Sequence, residues 1–288
     1  MGKKRGILLA VLFVALLGVL VWMLSRPAEP AYQGKQLRAW LKDLQTGWDG
    51  DTNHAAFIAF REMGTNAIPA LLKIIRSDDP PFESFIFELN RVQSLVHFPG
   101  GETWLERDAA SSALYAMGAN AKPAFSTLTN LLFHTNSAVF SAIPLAGMGS
   151  EGLPPLFAAL TNQNAGIRLS AANGLARERS DLNIVVPALI ARLGDQNIAV
   201  HRTAVGALGR LHAEPGLAVP SLMKDYPGND PLLRRVILRA LSRFGTNASA
   251  AVPMLIGALT DSDQDVRKQA ASALKRIDLE AAAKAGVK

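Results

Sequence analysis

The C-terminal half of the sequence repeats itself at a fixed interval. Four stretches, which start at positions 162, 195, 228 and 261, each open with a polar turn and continue with an apolar residue followed by Arg or His. Small and apolar residues at helical spacing complete each stretch. A regular period of about 20 to 50 residues is typical of stacked units that bury their apolar faces only against their neighbours. We therefore expect an elongated stack of units.

Prolines extend this register towards the N-terminus. Six of them precede apolar helical patterns, and the last four are separated by the same interval as the repeats: Pro69, Pro123, Pro154, Pro187, Pro220 and Pro253. Proline is tolerated in the first turn of a helix, where its missing N–H has no intrahelical partner. We predict that each proline opens the second helix of a helical hairpin.

Glycines mark the other end of the hairpin. Five of them fall where the first helices are expected to end, a position that favours a left-handed cap: Gly64, Gly118, Gly149, Gly209 and Gly245.

The last repeat begins with three alternating aspartates, Asp261, Asp263 and Asp265. A helix–loop–helix calcium site has oxygen ligands at this spacing, but it also needs Gly at loop position six and Glu at position twelve. Val266 and Ser272 occupy those positions, which disfavours calcium. We predict instead that Asp263 and Asp265 cap the next helix and favour its N-terminus.

The repeats at about residues 52–277 resemble the HEAT repeat family, including the HEAT-like units named after phycobilisome lyases. The resemblance implies an all-α solenoid of about six to seven helical hairpins over residues 35–288. With its start YQGKQLRAWL, the chain also resembles membrane-anchored bacterial HEAT-repeat proteins.

The resemblance further implies a ladder of hydrogen bonds between units, formed by an Asp in the turn and an Arg six residues later. Asp261 and Arg267 match both positions. The other units match in part, with Asp195 and His201, Asn162 and Arg168, and Gly228 and Arg234 at these positions.

The N-terminus has a different character. Lys3, Lys4 and Arg5 precede an uncharged apolar stretch at 6–24, which spans roughly 28 Å as a helix. We expect residues 1–25 to be an uncleaved signal anchor, with a cleaved signal peptide as the alternative. The basic flank places the N-terminus in the cytoplasm and the solenoid in the periplasm or outside the cell. Residues 26–34 form a linker.

Charge argues against nucleic acid as a partner. The formal net charge of the chain is +6, but four of its 30 basic residues lie within residues 1–26, which leaves 26 against 24 acidic residues, or +2. Nucleic-acid binding needs a basic face on the folded domain, whereas most of this excess belongs to the expected membrane topology.

One segment departs from the period. The interval from Pro69 to Pro123 is much longer than the others, which predicts an insertion at about 80–105 with one added helix at 82–97. Its aromatics Phe98 and Trp104 are candidate contacts for a partner, because aromatic residues are enriched at binding hot spots. The alternative is that the added helix packs into the core. Upstream, residues 32–44 form an amphipathic pattern that we expect to cap the solenoid.

Chemistry-bearing motifs are missing from the sequence. None of the five histidines lies in a His-Glu pair, so the metal-binding signature of HEAT-repeat deoxyhypusine hydroxylases is absent. No phosphate-binding, dinucleotide-binding or nucleophile-elbow motif occurs. We expect no enzyme activity of its own, no cofactor, no metal and no small-molecule substrate.

Basic residues recur in two rows. One row follows the period of the repeats and consists of Arg177, Arg210, Arg243 and Arg276, which we call the arginine row. A second row consists of Arg202, Arg235 and Lys268, with Arg239 nearby. Anionic lipid headgroups, an acidic protein or nucleic acid could bind such rows, although no aromatic residues are interleaved with them as nucleic acid would favour. The alternative is that they are solvated charges near helix ends.

We therefore expect a membrane-anchored, non-catalytic scaffold for an unidentified protein partner. Second helices usually line the concave surface of such a solenoid, which makes candidate contacts of Arg192, Lys224, Asp225 and Tyr226. Two alternatives stay open: an enzyme or enzyme accessory of lyase type, and a binder of anionic ligands through the arginine row.

Overall fold

A computed structural model of the chain describes residues 29–47, 55–77, 103–227 and 230–287. The expected anchor at 6–24, the added helix at 82–97, Phe98 and Gly228 lie outside these residues. Within the described ranges, no helix is both long enough and apolar enough to cross a membrane.

The described residues form one short strand pair and a series of α-helices, several of them joined by turns of 3₁₀ helix. In chain order they are β1 (Ala31–Tyr32), β2 (Lys35–Gln36), α1 (Leu37–Gly47), α2 (Ala55–Met63), α3 (Ile68–Ile75), α4 (Thr103–Met117), α5 (Phe125–Leu132), α6 (Ala138–Gly147), α7 (Leu153–Leu160), α8 (Ala165–Leu175), α9 (Leu182–Ile190), α10 (Ile198–Leu211), α11 (Pro215–Asp225), α12 (Pro231–Arg243), α13 (Val252–Ala258), α14 (Gln264–Ile277) and α15 (Leu279–Lys284).

The helices pair into consecutive hairpins. Each even-numbered helix from α2 to α14 is a first helix, and the odd-numbered helix that follows it is a second helix. From α4 to α14, each first helix packs against the next, and α1 packs against α2 and α4. The buried residues of all these elements form one continuous apolar core. The prediction of an all-α solenoid of helical hairpins is confirmed for the described residues.

Small residues bring the first helices close together. A Cβ added to Gly174 of α8 would lie 2.6 Å from the carbonyl oxygen of Ala142 in α6. A Cβ on Gly209 of α10 would lie 2.6 Å from the Cα of Ala240 in α12. Since real Cβ atoms do not approach other atoms so closely, these helices owe their spacing to glycine.

Gly209 was predicted to be a left-handed cap, and that prediction was wrong. It lies inside α10, which runs on to Leu211, and His212 takes the left-handed conformation with φ 37°. The other four predicted cap glycines, Gly64, Gly118, Gly149 and Gly245, have positive φ.

Three of the six prolines do not open a second helix. Pro187 lies inside α9, which begins at Leu182, and Pro220 lies inside α11, which begins at Pro215. The residues before each proline already carry helical apolar spacing, so the helix starts a turn earlier. Pro69, Pro154 and Pro253 lie in the first turn of their helices, and Pro123 lies in the 3₁₀ turn before α5.

The N-terminal amphipathic helix begins later than predicted, because residues 31–36 form a hairpin. Ala31 pairs with Gln36, and Tyr32 pairs with Lys35. Gln33 and Gly34 both have positive φ, 50° and 76°, as a two-residue type I′ turn requires. The helix α1 then begins at Leu37, which is fully buried.

Candidate binding surface on the first helices

The turns between units are tied together by buried ion pairs. Arg168, near the start of α8, donates from Nε and Nη2 to the two carboxylate oxygens of Asp195 in the next turn, at 2.8 Å each. Its Nη1 donates to the carbonyl oxygens of Asn162 and Gln163 in its own turn, at 2.8 and 3.0 Å. Arg168 therefore links two consecutive turns.

The same arrangement recurs two units further along. Arg234 contacts Asp261 in the next turn, with Nη2 3.0 Å from Oδ1 and Nε 2.9 Å from Oδ2. Arg267 donates instead to the backbone carbonyl oxygens of Asp261 and Ser262, at 2.6 and 3.0 Å. The side-chain bridge therefore joins an arginine of one unit to the aspartate of the following turn, whereas the aspartate and arginine of a single turn meet through the backbone.

The three aspartates of the last turn point to different partners. Asp261 accepts hydrogen bonds from Arg234 and from the backbone of Asp263. Asp263 caps α14 by accepting from Val266 N at 2.9 Å. Asp265 pairs with Arg235 at 2.9 Å. Since each carboxylate has a separate protein partner, they do not converge on one point.

His201 interrupts the series. It occupies the position of Arg168 and Arg234 but forms a 2.7 Å contact from Nε2 to Oδ2 of Asp225. The residue that takes the place of the bridging aspartate in the following turn is Gly228, which has no carboxylate. Both bridging residues are therefore replaced at this point of the series, arginine by His201 and aspartate by Gly228.

Arg107 performs a related role that sequence reasoning missed. It is 3% exposed and donates to the carbonyl oxygens of Ile75 at 3.2 Å and Asn136 at 2.8 Å. Its guanidinium lies 4.3 Å from the ring centroid of Phe140. Arg107 is the fifth residue of α4, which begins at Thr103, inside the predicted insertion. Its place in the first turns of a first helix was therefore not expected.

Trp104 belongs to α4, although the insertion was predicted to extend to residue 105. Its side chain is 53% exposed, and its ring meets that of Phe140 edge-on with the centroids 6.0 Å apart. Trp104 is thus an exposed aromatic on a regular helix of the array.

The candidate contacts of the second helices are mostly engaged within the protein. Asp225 binds His201, and Arg192 donates to the carbonyl oxygen of Leu160 at 3.2 Å. Tyr226 packs against the core, and burial raises the pKa of its hydroxyl. Lys224 is exposed. Of these four residues, only Lys224 is presented to solvent without a protein contact of this kind.

The first helices approach one another more closely than the second helices do. We call the side formed by these first helices the inner side of the stack. That second helices line a concave surface stays a prediction. The arginine row, carried by α10, α12 and α14 with Arg177 just after α8, therefore lies on the inner side.

Three arginines line a cleft between α10 and α12. Arg210, Arg239 and Arg243 line a volume of about 140 Å³, together with Gly206 and Gly209. No atom lies within 4 Å of a Cβ built on Gly206, so the cleft is open above that residue.

The cleft also places the cations close to one another. Burial between the helices lowers the pKa of Arg210, and the neighbouring Arg177 and Arg243 lower it further. Arg210 donates to the amide oxygen of Asn173 at 3.3 Å. Because an amide is neutral, this contact does not compensate the charge of Arg210. An anion that enters the cleft would relieve this repulsion.

The second basic row has a different environment. Arg202 pairs with Asp230, with Nε 3.0 Å from Oδ2, and Arg235 pairs with Asp265. Lys268 lies 3.9 Å from Asp265. Two carboxylates, Asp230 and Asp265, therefore pair with the cations of this row, although it has the same period as the arginine row.

Arg177 belongs to a neighbouring cleft of mixed charge. This cleft, of about 250 Å³, is also lined by Arg61, Arg179 and Glu178. Glu178 is 2% exposed and accepts from the backbone of Arg179 and Ser180 at 2.8 Å. A buried carboxylate makes this cleft less favourable for anions than the one between α10 and α12.

Comparison with known proteins supports the repeat type. Residues 219–285 match the HEAT repeat family. The resemblance to HEAT repeats that the sequence indicated is thus confirmed. Among curated proteins, no significant match to the chain is found.

Solved structures with a similar chain trace are distant in sequence. The crystal structure of an engineered protein is 18% identical, covering 84% of this chain and 96% of that one, with a TM-score of 0.45. A second engineered protein is 19% identical over 87% and 71% of the two chains, with a TM-score of 0.41. The complex of CpcE and CpcF of phycocyanin lyase from Nostoc sp. PCC7120 is 20% identical over 91% and 96%, with a TM-score of 0.41.

Proposed function

We propose that this protein is a non-catalytic scaffold that holds a protein partner at a membrane. The observation that carries the proposal is the continuous stack, in which each first helix from α4 to α14 packs against the next. Stacked repeats of this kind provide extended concave surfaces suited to elongated partners. The polar groups of the inter-repeat turns are used for mutual hydrogen bonds, as in Arg168 with Asp195.

Site-specific photo-cross-linking tests the scaffold. A photoreactive residue at Ser272, exposed between Lys268 and Arg276 on the inner side, is expected to capture one protein in membranes of the source organism. A second probe at Leu217, 50% exposed on the second helix α11, is the matched control for the outer side. Capture at Ser272 alone supports the proposal as stated. Capture at neither position would contradict it.

The membrane part of the proposal rests on the apolar stretch 6–24 and its basic flank. A reporter fused after Lys288 is expected to be active outside the cytoplasm, and the protein is expected to stay in the membrane fraction with Met1 to Ser25 retained. N-terminal sequencing of the purified protein checks the second point. A soluble product that begins near Ala28 would show that the segment is a cleaved signal peptide.

A further inference from the structure

We propose that the cleft between α10 and α12 binds carboxylates of an extended acidic segment of another polypeptide, through Arg210, Arg239 and Arg243. This inference rests on the proposed scaffold function and specifies the chemistry of the partner. The three arginines line one volume of about 140 Å³, which is large enough for a carboxylate and its hydrogen bonds.

Charge selects an anion for this cleft. Its described lining contains three cations and no carboxylate. The cations of the second row, one helical turn or two away, already pair with Asp230 and Asp265. The uncompensated positive charge is therefore concentrated in a narrow strip that follows the stack. A narrow strip matches a single extended chain.

Glycine gives the cleft its depth. Gly209 allows α10 and α12 to approach until a Cβ would touch Ala240, which sets the floor. Gly206, one turn earlier, leaves space above that floor because nothing lies within 4 Å of a Cβ there. A partly enclosed site strengthens charge-assisted hydrogen bonds.

The period of the row sets the spacing of the ligand charges. Packed helices lie about 8 to 10 Å apart, and an extended polypeptide advances about 3.3 Å per residue. A carboxylate at every third residue therefore keeps pace with Arg210, Arg243 and Arg276, one from each successive first helix.

Other polyanions fit this surface less well. Single-stranded nucleic acids bind by stacking bases on aromatic side chains, and the described lining of the cleft contains none. A bilayer presents its headgroups on a plane, whereas the cleft is recessed between two helices on the inner side of the stack. An acidic polypeptide requires neither aromatic side chains nor a flat contact surface.

The test measures binding of a defined peptide to the full-length protein in a non-ionic detergent. A fluorescein-labelled peptide of four Glu-Gly-Ser triplets is titrated at low salt, beside a permuted peptide in which the four Glu are consecutive. We expect the spaced peptide to bind more tightly. Arg210→Gln with Arg243→Gln should weaken its binding at least about tenfold, since each charge-assisted hydrogen bond contributes measurably to affinity.

The matched control removes the same formal charge from the neighbouring row. Arg202→Gln with Arg235→Gln removes the arginine partners of Asp230 and Asp265 but leaves the cleft intact, so we expect less than about a threefold change. Equal losses in the two double variants would mean that only the overall charge matters, which would overturn the inference. Circular dichroism of each variant confirms that the helices are retained.

Two further arms identify the anion. Oligothymidylate and vesicles containing phosphatidylglycerol are titrated in the same way, and we expect both to bind more weakly than the spaced peptide. Tighter binding of either one would overturn the assignment to a polypeptide. Cross-linking at Ser272 that persists in the Arg210, Arg243 double variant would contradict this inference while leaving the scaffold standing. Binding of the spaced peptide with no protein captured at Ser272 would support this inference and contradict the scaffold function.

Discussion

Replacement of Asp195 by alanine is expected to lower the free energy of unfolding by about 3 to 5 kcal/mol. The side chain of Asp195 is 3% exposed, and that of its partner Arg168 is 14% exposed. The variant would leave the Arg168 guanidinium buried without its carboxylate, and the backbone N–H of Asn197 would lose its 2.9 Å acceptor. Urea denaturation followed by circular dichroism measures the loss.

Asp265→Ala is the control for this prediction. Its carboxylate is 57% exposed and pairs with Arg235 and Lys268 in the solvated second row. Exposed ion pairs typically contribute about 0 to 1 kcal/mol, so the loss is expected to fall in that range. If the two alanine variants lost the same stability, the buried bridge would not be a principal connection between units.

The pH dependence provides an independent check. The hydrogen bond from Arg168 holds the pKa of Asp195 below its usual value. A depressed carboxylate pKa contributes stability that is fully present above the unfolded pKa of about 3.9 and is lost as pH falls through the folded pKa. The difference in stability between the parent and Asp195→Ala should therefore be constant near neutrality and shrink below about pH 4.

The regular period was the most informative part of the sequence, because a stack repeats its side chains in space as it does in the chain. It predicted the helical hairpins of the C-terminal half and placed Arg210, Arg243 and Arg276 on equivalent positions. It could not distinguish the arginine row from the second row. That distinction depends on Asp230 and Asp265, which lie at the N-terminal ends of α12 and α14 and pair with only one of the two rows.

Predictions from local sequence were wrong where contacts between units determine the role of a residue. Gly209 has the sequence context of a cap, but its role is to admit Ala240, which belongs to the first helix of the next unit. The bridge from Arg168 to Asp195 also joins two units, so inspection of one turn at a time pairs the wrong partners. Asp225 looked free for binding because its partner His201 lies on the preceding first helix.

A comparison of two glycines isolates steric fit from intrinsic helix preference. Gly152 is buried just before α7, and a Cβ built on it would lie 1.7 Å from the carbonyl oxygen of Leu145 at the end of α6. Gly206 lies in the middle of α10 with nothing within 4 Å of its Cβ position. The same substitution by alanine is therefore expected to have opposite signs at the two positions.

Gly152→Ala is expected to lower the free energy of unfolding by about 3 kcal/mol or more, because the clash is with backbone and one hairpin must shift to relieve it. Gly206→Ala is expected to raise it by about 0.5 to 1 kcal/mol, since alanine loses less conformational entropy than glycine in a helix interior. Urea midpoints of the two variants, measured beside the parent, decide the matter. A stable Gly152→Ala variant would mean that α6 and α7 tolerate a wider separation. The close approach of these two helices would then not depend on the absence of a side chain at residue 152.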